Sequence, residues 1–391
     1  MPIFSANCHL IEPSHVFHGR MSQKWADRAP RMIDKGDDGQ SWVFEGEERP
    51  LLGVCAVAGF PVEKWGLDPI RLEDIRPGCY DAASRLHDMD IDGVDVAAVF
   101  SSPATMGFNA DLFAKARDPE LAMEAVRAWN DWYFEEWISV SPERFVPVGC
   151  TTYFSPTDAA AEVYRNASRG FKAVVFRNPV DLGGTWVGTG HWDPLFHACE
   201  ETGTVILYHT EASPWWPTRY GDDRTPYPYG MITSLFQSTA MDFVNSFLWG
   251  GIPVRFPKLK IQIAESGGSW IPHLLKHMTW ATEFSPFTAE GWPDPKSTPL
   301  DLLRRTFVFS TLEVEEAIAL SDEYGIEGWM IEDDYPHCES VWPNTKKHFG
   351  KILGSLDADT RDRLEWKNAS ELFRHPVPAT GCIPAQESSL A

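Results

Sequence analysis

The chain has little of what would carry it to a membrane, a nucleic acid or an oxidising compartment. Met1 to Asn7 hold neither a basic run nor a long apolar one, so neither export nor membrane insertion is expected. Basic residues are scarce, 34 Lys and Arg against 56 Asp and Glu, and the formal charge of -22 sets up a field that repels phosphodiester backbones and anionic lipid. That field does not bar an anionic substrate, because a buried cation dominates its own site. Cysteine is sparse and odd in number, seven in all, with no Cys-x-x-Cys pair. A reducing cytoplasm is therefore expected, and a thiolate zinc site is not. No Gly-x-Gly-x-x-Gly follows an apolar run and no Walker loop occurs, which removes support for a dinucleotide or nucleoside-triphosphate site.

What remains is a packed protein. The composition is 43% hydrophobic, with 17 Trp and 23 Phe, side chains that need burial or stacking. Short, nearly continuous apolar runs recur along the chain. They lie at residues 3 to 9, 94 to 100, 145 to 149, 171 to 176, 204 to 209, 259 to 265, 306 to 310 and 328 to 332. Helical patterns separate several of them, at about 81 to 89, 109 to 139 and 158 to 164. Strands of this kind predict a parallel sheet covered by helices, and eight of them predict closure into an α/β, TIM-like (β/α)8 barrel. Residues 14 to 80, rich in Gly and Pro, read as a loop-rich decoration over the C-terminal mouth. Ser41 to Phe44 and Leu51 to Val57 are candidates for a small sheet within it. The barrel unit spans residues 1 to 374, and 375 to 391 read as a C-terminal extension.

Catalytic groups of such barrels gather where the strands end. Alternation along the first strand puts Asn7 and His9 on one face and Cys8 on the other. His209 closes the fifth strand, Glu265 the sixth, and Asp334 follows the eighth. Two imidazoles and two carboxylates around one mouth are hard to borderline ligands, suited to Zn, Fe or Mn. Glu265, before Ser266-Gly267-Gly268, is open to three roles: metal ligand, proton shuttle or cap of the next helix. His337 is placed to orient substrate or move a proton, or to hold its loop by bonding to the backbone. Glu12, fixed by Pro13, either reaches the metal or anchors its loop. Arg177 at the end of the fourth strand is a candidate for a substrate carboxylate, or a loop anchor. Lys172 lies at the wrong end of that strand to bridge metals.

Three stretches carry a family resemblance. They are Ser5-Ala6-Asn7-Cys8-His9-Leu10-Ile11-Glu12-Pro13, Arg255 to Lys260 with Glu265 to Pro272, and Asp334-Tyr335-Pro336-His337-Cys338-Glu339-Ser340. In that order they resemble the amidohydrolase superfamily, in its amidohydrolase-related (family 2) branch. The branch includes the aminocarboxymuconate semialdehyde and resorcylate decarboxylases and a few non-haem iron oxygenases. The resemblance implies a metal held at positions matching Asn7, His9, His209 and Asp334. Two departures stand out. Asn7 replaces a charged or imidazole ligand, and Glu265 stands where the decarboxylases have a catalytic histidine.

The expected activity is metal-dependent hydrolysis or non-oxidative decarboxylation of a small carboxylate-containing or cyclic substrate, with Asp334, Glu265 and His337 as catalytic groups. Zinc is the expected ion, with iron or manganese, in one or two copies, as alternatives. Family likeness adds a further reading, a dinuclear iron monooxygenase acting on a small carboxylic or amino acid, and the neutral Asn7 adds another, a metal-binding subunit of such an enzyme. A homo-oligomer is expected, or a hetero-oligomer with a paralogous subunit.

Overall fold

A computed structural model describes residues 1–102, 110–211 and 228–378. Most of the expected C-terminal extension, with Cys382, lies outside the described residues. The strands in chain order are β1 (Phe4–Leu10), β2 (Arg31–Asp34), β3 (Gln40–Phe44), β4 (Glu47–Pro50), β5 (Val96–Ser101), β6 (Phe145–Gly149), β7 (Ala173–Val175), β8 (Val205–His209), β9 (Ile261–Ala264), β10 (Phe307–Thr311) and β11 (Trp329–Ile331).

Eight of them form one sheet in the order β1-β5-β6-β7-β8-β9-β10-β11, each ladder parallel. Beyond the last ladder, backbone bonds from His9 N to Tyr335 O (2.6 Å) and from Asp334 N to Asn7 O (3.2 Å) draw its two edges together. The result is a nearly closed (β/α)8-like barrel. Every residue of β1, β5, β6, β8 and β9 is buried, which is why these strands read as nearly continuous apolar runs, with Ser5, Asn7, His9, Ser101, His209 and Gln262 as buried polar exceptions. Each fully buried Val, Ile or Phe among them contributes on the order of 1.5–3 kcal/mol.

Helix boundaries follow local chemistry. Asp81 caps Ala82–Asp92 by accepting from Ser84 N, and Ser155 caps Pro156–Ser168 by accepting from Asp158 N. The pattern over 109 to 139 is not one helix. Asp118 caps a new helix, Pro119–Glu136, whose first residue is a proline that has no N–H to leave unpaired.

The decoration carries the antiparallel sheet β2-β3-β4. Leu51 to Val57 is not part of that sheet. The chain leaves β4 into a short turn at Gly53–Cys55, where a Cβ on Gly53 would lie 2.9 Å from Gly66 O. This region meets the chain beyond β11, through Val57 N to Pro336 O (2.9 Å) and Cys338 N to Val54 O (3.1 Å). It therefore abuts the mouth, where the strands end.

Candidate metal centre

Four side chains from four strand ends converge. The ligand atoms of His9, His209, Glu265 and Asp334 all lie within 4.8 Å of one another. His9 and His209 bring their Nε2 atoms 3.2 Å apart, His9 Nε2 is 3.2 Å from Asp334 Oδ1, and His209 Nε2 is 2.8 Å from Glu265 Oε2. Two ligands about 2.0–2.1 Å from one tetrahedral ion lie about 3.3 Å apart, so these spacings suit the edges of a coordination polyhedron.

The tautomers point the same way. Nδ1 of His9 faces Ser101 O at 3.0 Å, and Nδ1 of His209 faces Thr210 O at 2.6 Å. A carbonyl oxygen can only accept, so each Nδ1 carries a proton and each Nε2 is turned inward. Burial lowers His209, but the Glu265 carboxylate at 2.8 Å outweighs it and raises the group, so the point between the two rings and the two carboxylates is one that favours positive charge. Burial, and then the neighbouring rings of His337 and His209, hold His9 well below the usual imidazole range, which favours the neutral ligand form. Asp334 is fully buried, and neither of its oxygens accepts an aligned hydrogen bond. Burial, then the charges of Glu265, Glu339 and Glu332, push its carboxyl well above the ordinary range. A divalent ion would relieve both conditions, and the donor set fits one.

Backbone strain marks two of the four. Glu265 (φ 55°) and Asp334 (φ 49°) occupy the left-handed region, which costs a residue with a Cβ about 1 kcal/mol or more. Neither position is glycine, and each turn aims its carboxylate at the histidines.

Asn7 is buried, with both side-chain polar atoms lacking a hydrogen-bond partner, and its carbonyl receives Asp334 N. An amide oxygen there is available as a further ligand. Glu12 goes elsewhere: it accepts from Ser101 Oγ (2.7 Å) and Trp129 Nε1 (2.8 Å), and it is not among the four clustered groups. His337 stacks on His9 at 4.0 Å, sets Nδ1 3.1 Å from Asp334 Oδ1 and pairs Nε2 with Ser102 Oγ at 2.9 Å. Arg177 is buried against Glu211 at 3.0 Å, so a substrate carboxylate would compete with an ion pair already made. Cys8 faces the helices, 3.6 Å from Ala98 O.

Sequence reasoning missed the supports. Arg85, fully buried, donates to His9 O and to Gly78 O (2.7 Å) and lies 4.1 Å from the Tyr335 ring. Tyr335 Oη donates to Asp88 Oδ2 at 2.5 Å, and Arg76 pairs with Asp88 at 2.6 Å. The chain at Gly78 runs so close that a Cβ would sit 2.1 Å from Asp88 Oδ2. Below the ligands, Glu332 accepts from Ser310 Oγ (2.6 Å) and Glu265 N (3.3 Å), and burial pushes its carboxyl up to about 8. On the loop beyond β11, Glu339 accepts from Cys338 Sγ (2.9 Å) and Tyr229 Oη (3.1 Å). Only Glu332, Tyr335 and Glu339 lie within a few positions of a ligand in the sequence; Arg76, Arg85 and Asp88 carried no such signal.

Residues 74–375 match the Amidohydrolase family. The chain belongs to that family. Among curated relatives it is similar to the 2-amino-3-carboxymuconate-6-semialdehyde decarboxylase of Dictyostelium discoideum, 24% identical over 208 residues, which are 53% of this chain and 54% of that one. The chain thus spans about half the length of that relative. An amidohydrolase from Mycobacterium avium subsp. paratuberculosis has the same fold, with a TM-score of 0.75 and 19% identity, over 95% of this chain and 99% of the other. So does a dihydroxybenzoic acid decarboxylase from Polaromonas sp., solved with bound manganese and 2-nitroresorcinol, with a TM-score of 0.65 and 15% identity, over 95% and 97%. Family and donor cluster together make this a metal-dependent amidohydrolase-superfamily enzyme.

Proposed function

We propose that the chain releases carbon dioxide from a small cyclic carboxylate without oxidation. The four-residue cluster carries this reading, because it presents imidazoles and carboxylates to one point at the mouth. The decarboxylases among its relatives supply the reaction class. When bound, a divalent ion, zinc or manganese, supplies the positive charge that holds a substrate carboxylate and an adjacent oxygen. His9, His209 and Asp334 would hold that ion. Glu265 is the group that carries a proton to the ring carbon. The bond from that carbon to the carboxylate breaks, carbon dioxide leaves, and the proton takes its place. His337, fixed between Asp334 and Ser102, orients the substrate.

Hydrolysis is the second reading, favoured by Glu265 itself. A carboxylate 2.8 Å from a ligand nitrogen is placed to take a proton from water at the same point. The test is elemental mass spectrometry of protein purified without chelator, followed by carbon dioxide release from a panel of arenecarboxylates. About one zinc or manganese per chain, with release stopped by chelation, supports decarboxylation. Metal-dependent cleavage of esters or amides without carbon dioxide moves the assignment to hydrolysis. Two iron ions per chain with oxygen consumption would move it to oxygenation.

The quaternary reading is a homodimer. Trp280, Phe284 and Phe287 are 53%, 66% and 83% exposed on one run at the end of helix Trp270–Phe284. Exposed aromatics in such a run mark an interface. An antiparallel two-fold pairing centred on Trp280 would set His277 against Glu283 of a second copy, a self-complementary contact. Sedimentation of Phe284→Glu/Phe287→Glu should show monomer where the wild type shows dimer; a wild-type monomer overturns the reading.

A further inference from the structure

Outside the metal centre lies a cavity of about 810 Å³. Decoration residues 57 to 62 with Trp65 form one wall, and the chain beyond β11 with helix Thr345–Leu353 forms the other. Its apolar lining includes Phe60, Trp65 and Trp342, and its rim carries Lys347 and Lys351. No lining residue is Asp or Glu, in a chain where acidic residues outnumber basic ones by 56 to 34.

The two lysines are four positions apart, on one helix face, and neither makes an ion pair with a described carboxylate. Like charges at that spacing repel by roughly 0.2–0.5 kcal/mol, which an anion between them would reverse. The protein's overall field repels anions, so a local cationic concavity is where one would collect. Indole and phenyl walls favour a flat ligand whose faces they can stack on. His337 divides this space from the metal ligands: it lines the cavity, while its ring stacks on His9 and its Nε2 is engaged by Ser102.

We infer that this cavity is a second ligand site, separate from the metal centre, that takes a flat carboxylate of the arenecarboxylate class. Lys347 and Lys351 bind the carboxylate, and the aromatic walls bind the ring. The site does not depend on which reaction the metal centre performs.

The test uses the full chain stripped of metal, with 4-fluorobenzoate as probe and ligand-observed fluorine NMR as readout. Wild type and Asp334→Asn should bind it equally. Lys347→Gln/Lys351→Gln, changed only on an exposed helix face, should bind at least ten-fold more weakly. Wild-type affinity should also fall as salt is raised, because exposed charges are screened. Three results would overturn the inference: no binding to the metal-free wild type, undiminished binding by the double variant, or loss of binding in Asp334→Asn, which would place the probe at the metal centre. Because no metal or turnover enters the measurement, failure of the decarboxylase reading leaves its outcome unchanged.

Discussion

The two ends of the barrel treat buried polar groups in opposite ways. Where the strands begin, Asp95 and Ile3 bond reciprocally, Ile3 N to Asp95 Oδ2 and Asp95 N to Ile3 O, each at 2.8 Å. Arg144 covers Asp95 O and Val94 O, and Phe4 stacks on Phe373 at 6.0 Å. Where the strands end, Asp334 and Asn7 hold buried polar atoms that nothing satisfies, and two ligands sit in left-handed backbone. The first end also buries Thr306 Oγ1 and Trp329 Nε1 without partners, but these are neutral groups. The other retains unfavourable groups that only a bound cation would reconcile, and that difference is what assigns function to the mouth.

The largest expected effect comes from removing a ligand. Asp334→Ala should lose metal and lower turnover by about 10³-fold or more, read by metal content and carbon dioxide release. Asp334→Asn should also be inactive, yet its metal-free form should melt above metal-free wild type, since a neutral amide replaces a carboxyl whose ionisation burial and neighbouring carboxylates oppose, and Asn tolerates the left-handed region. If that variant melts lower, the contrast between the ends is wrong.

A smaller effect should appear at the other end. Asp95→Ala leaves Ile3 N buried without its acceptor and should cost about 2–3 kcal/mol in urea denaturation. Turnover per folded molecule should be unchanged at a temperature where the variant is native. A large fall in kcat would mean that the two ends are coupled.

How much of this was legible depended on whether position along a strand was enough. Period-two alternation and strand length place His9 and His209 at the mouth, because a ligand within a buried strand has little freedom in where it points; Asp334, three residues past β11 in left-handed backbone, was legible only as following the eighth strand. Glu265 was legible as a strand-end carboxylate but not as a left-handed residue; the glycines beside it suggested the turn without saying which residue would bear the strain. The two roles left open for Glu12 were not separable in the sequence, because its partner Trp129 comes from a helix more than a hundred residues later. Arg85 was invisible for the same reason: no local pattern tells an arginine under a metal ligand from one on a helix surface. Leu51 to Val57 failed through the close approach of Gly53 to Gly66, a long-range contact that apolar content does not report.

The finest test of the comparison lies at Asp92, a buried carboxylate outside the metal cluster. Its Oδ1 accepts from Thr345 N at 2.7 Å, while Oδ2 is buried without a partner. Burial, then the charge of Asp333, raises its carboxyl to about 7 from 3.8. A carboxyl raised on folding stabilises fully below its unfolded value, and that contribution is lost as pH rises through its folded one, because the unfolded chain gives up the proton first. Wild type should therefore lose stability between pH 4 and pH 7 at this residue. Asn keeps the bond to Thr345 and carries no charge, so Asp92→Asn should be more stable than wild type by up to about 4 kcal/mol at pH 8 and nearly equal to it at pH 4. An equal gain at both pH values would mean that Asp92 is a packing defect rather than a buried acid. The unsatisfied carboxylates at the mouth would then need an explanation other than their charge.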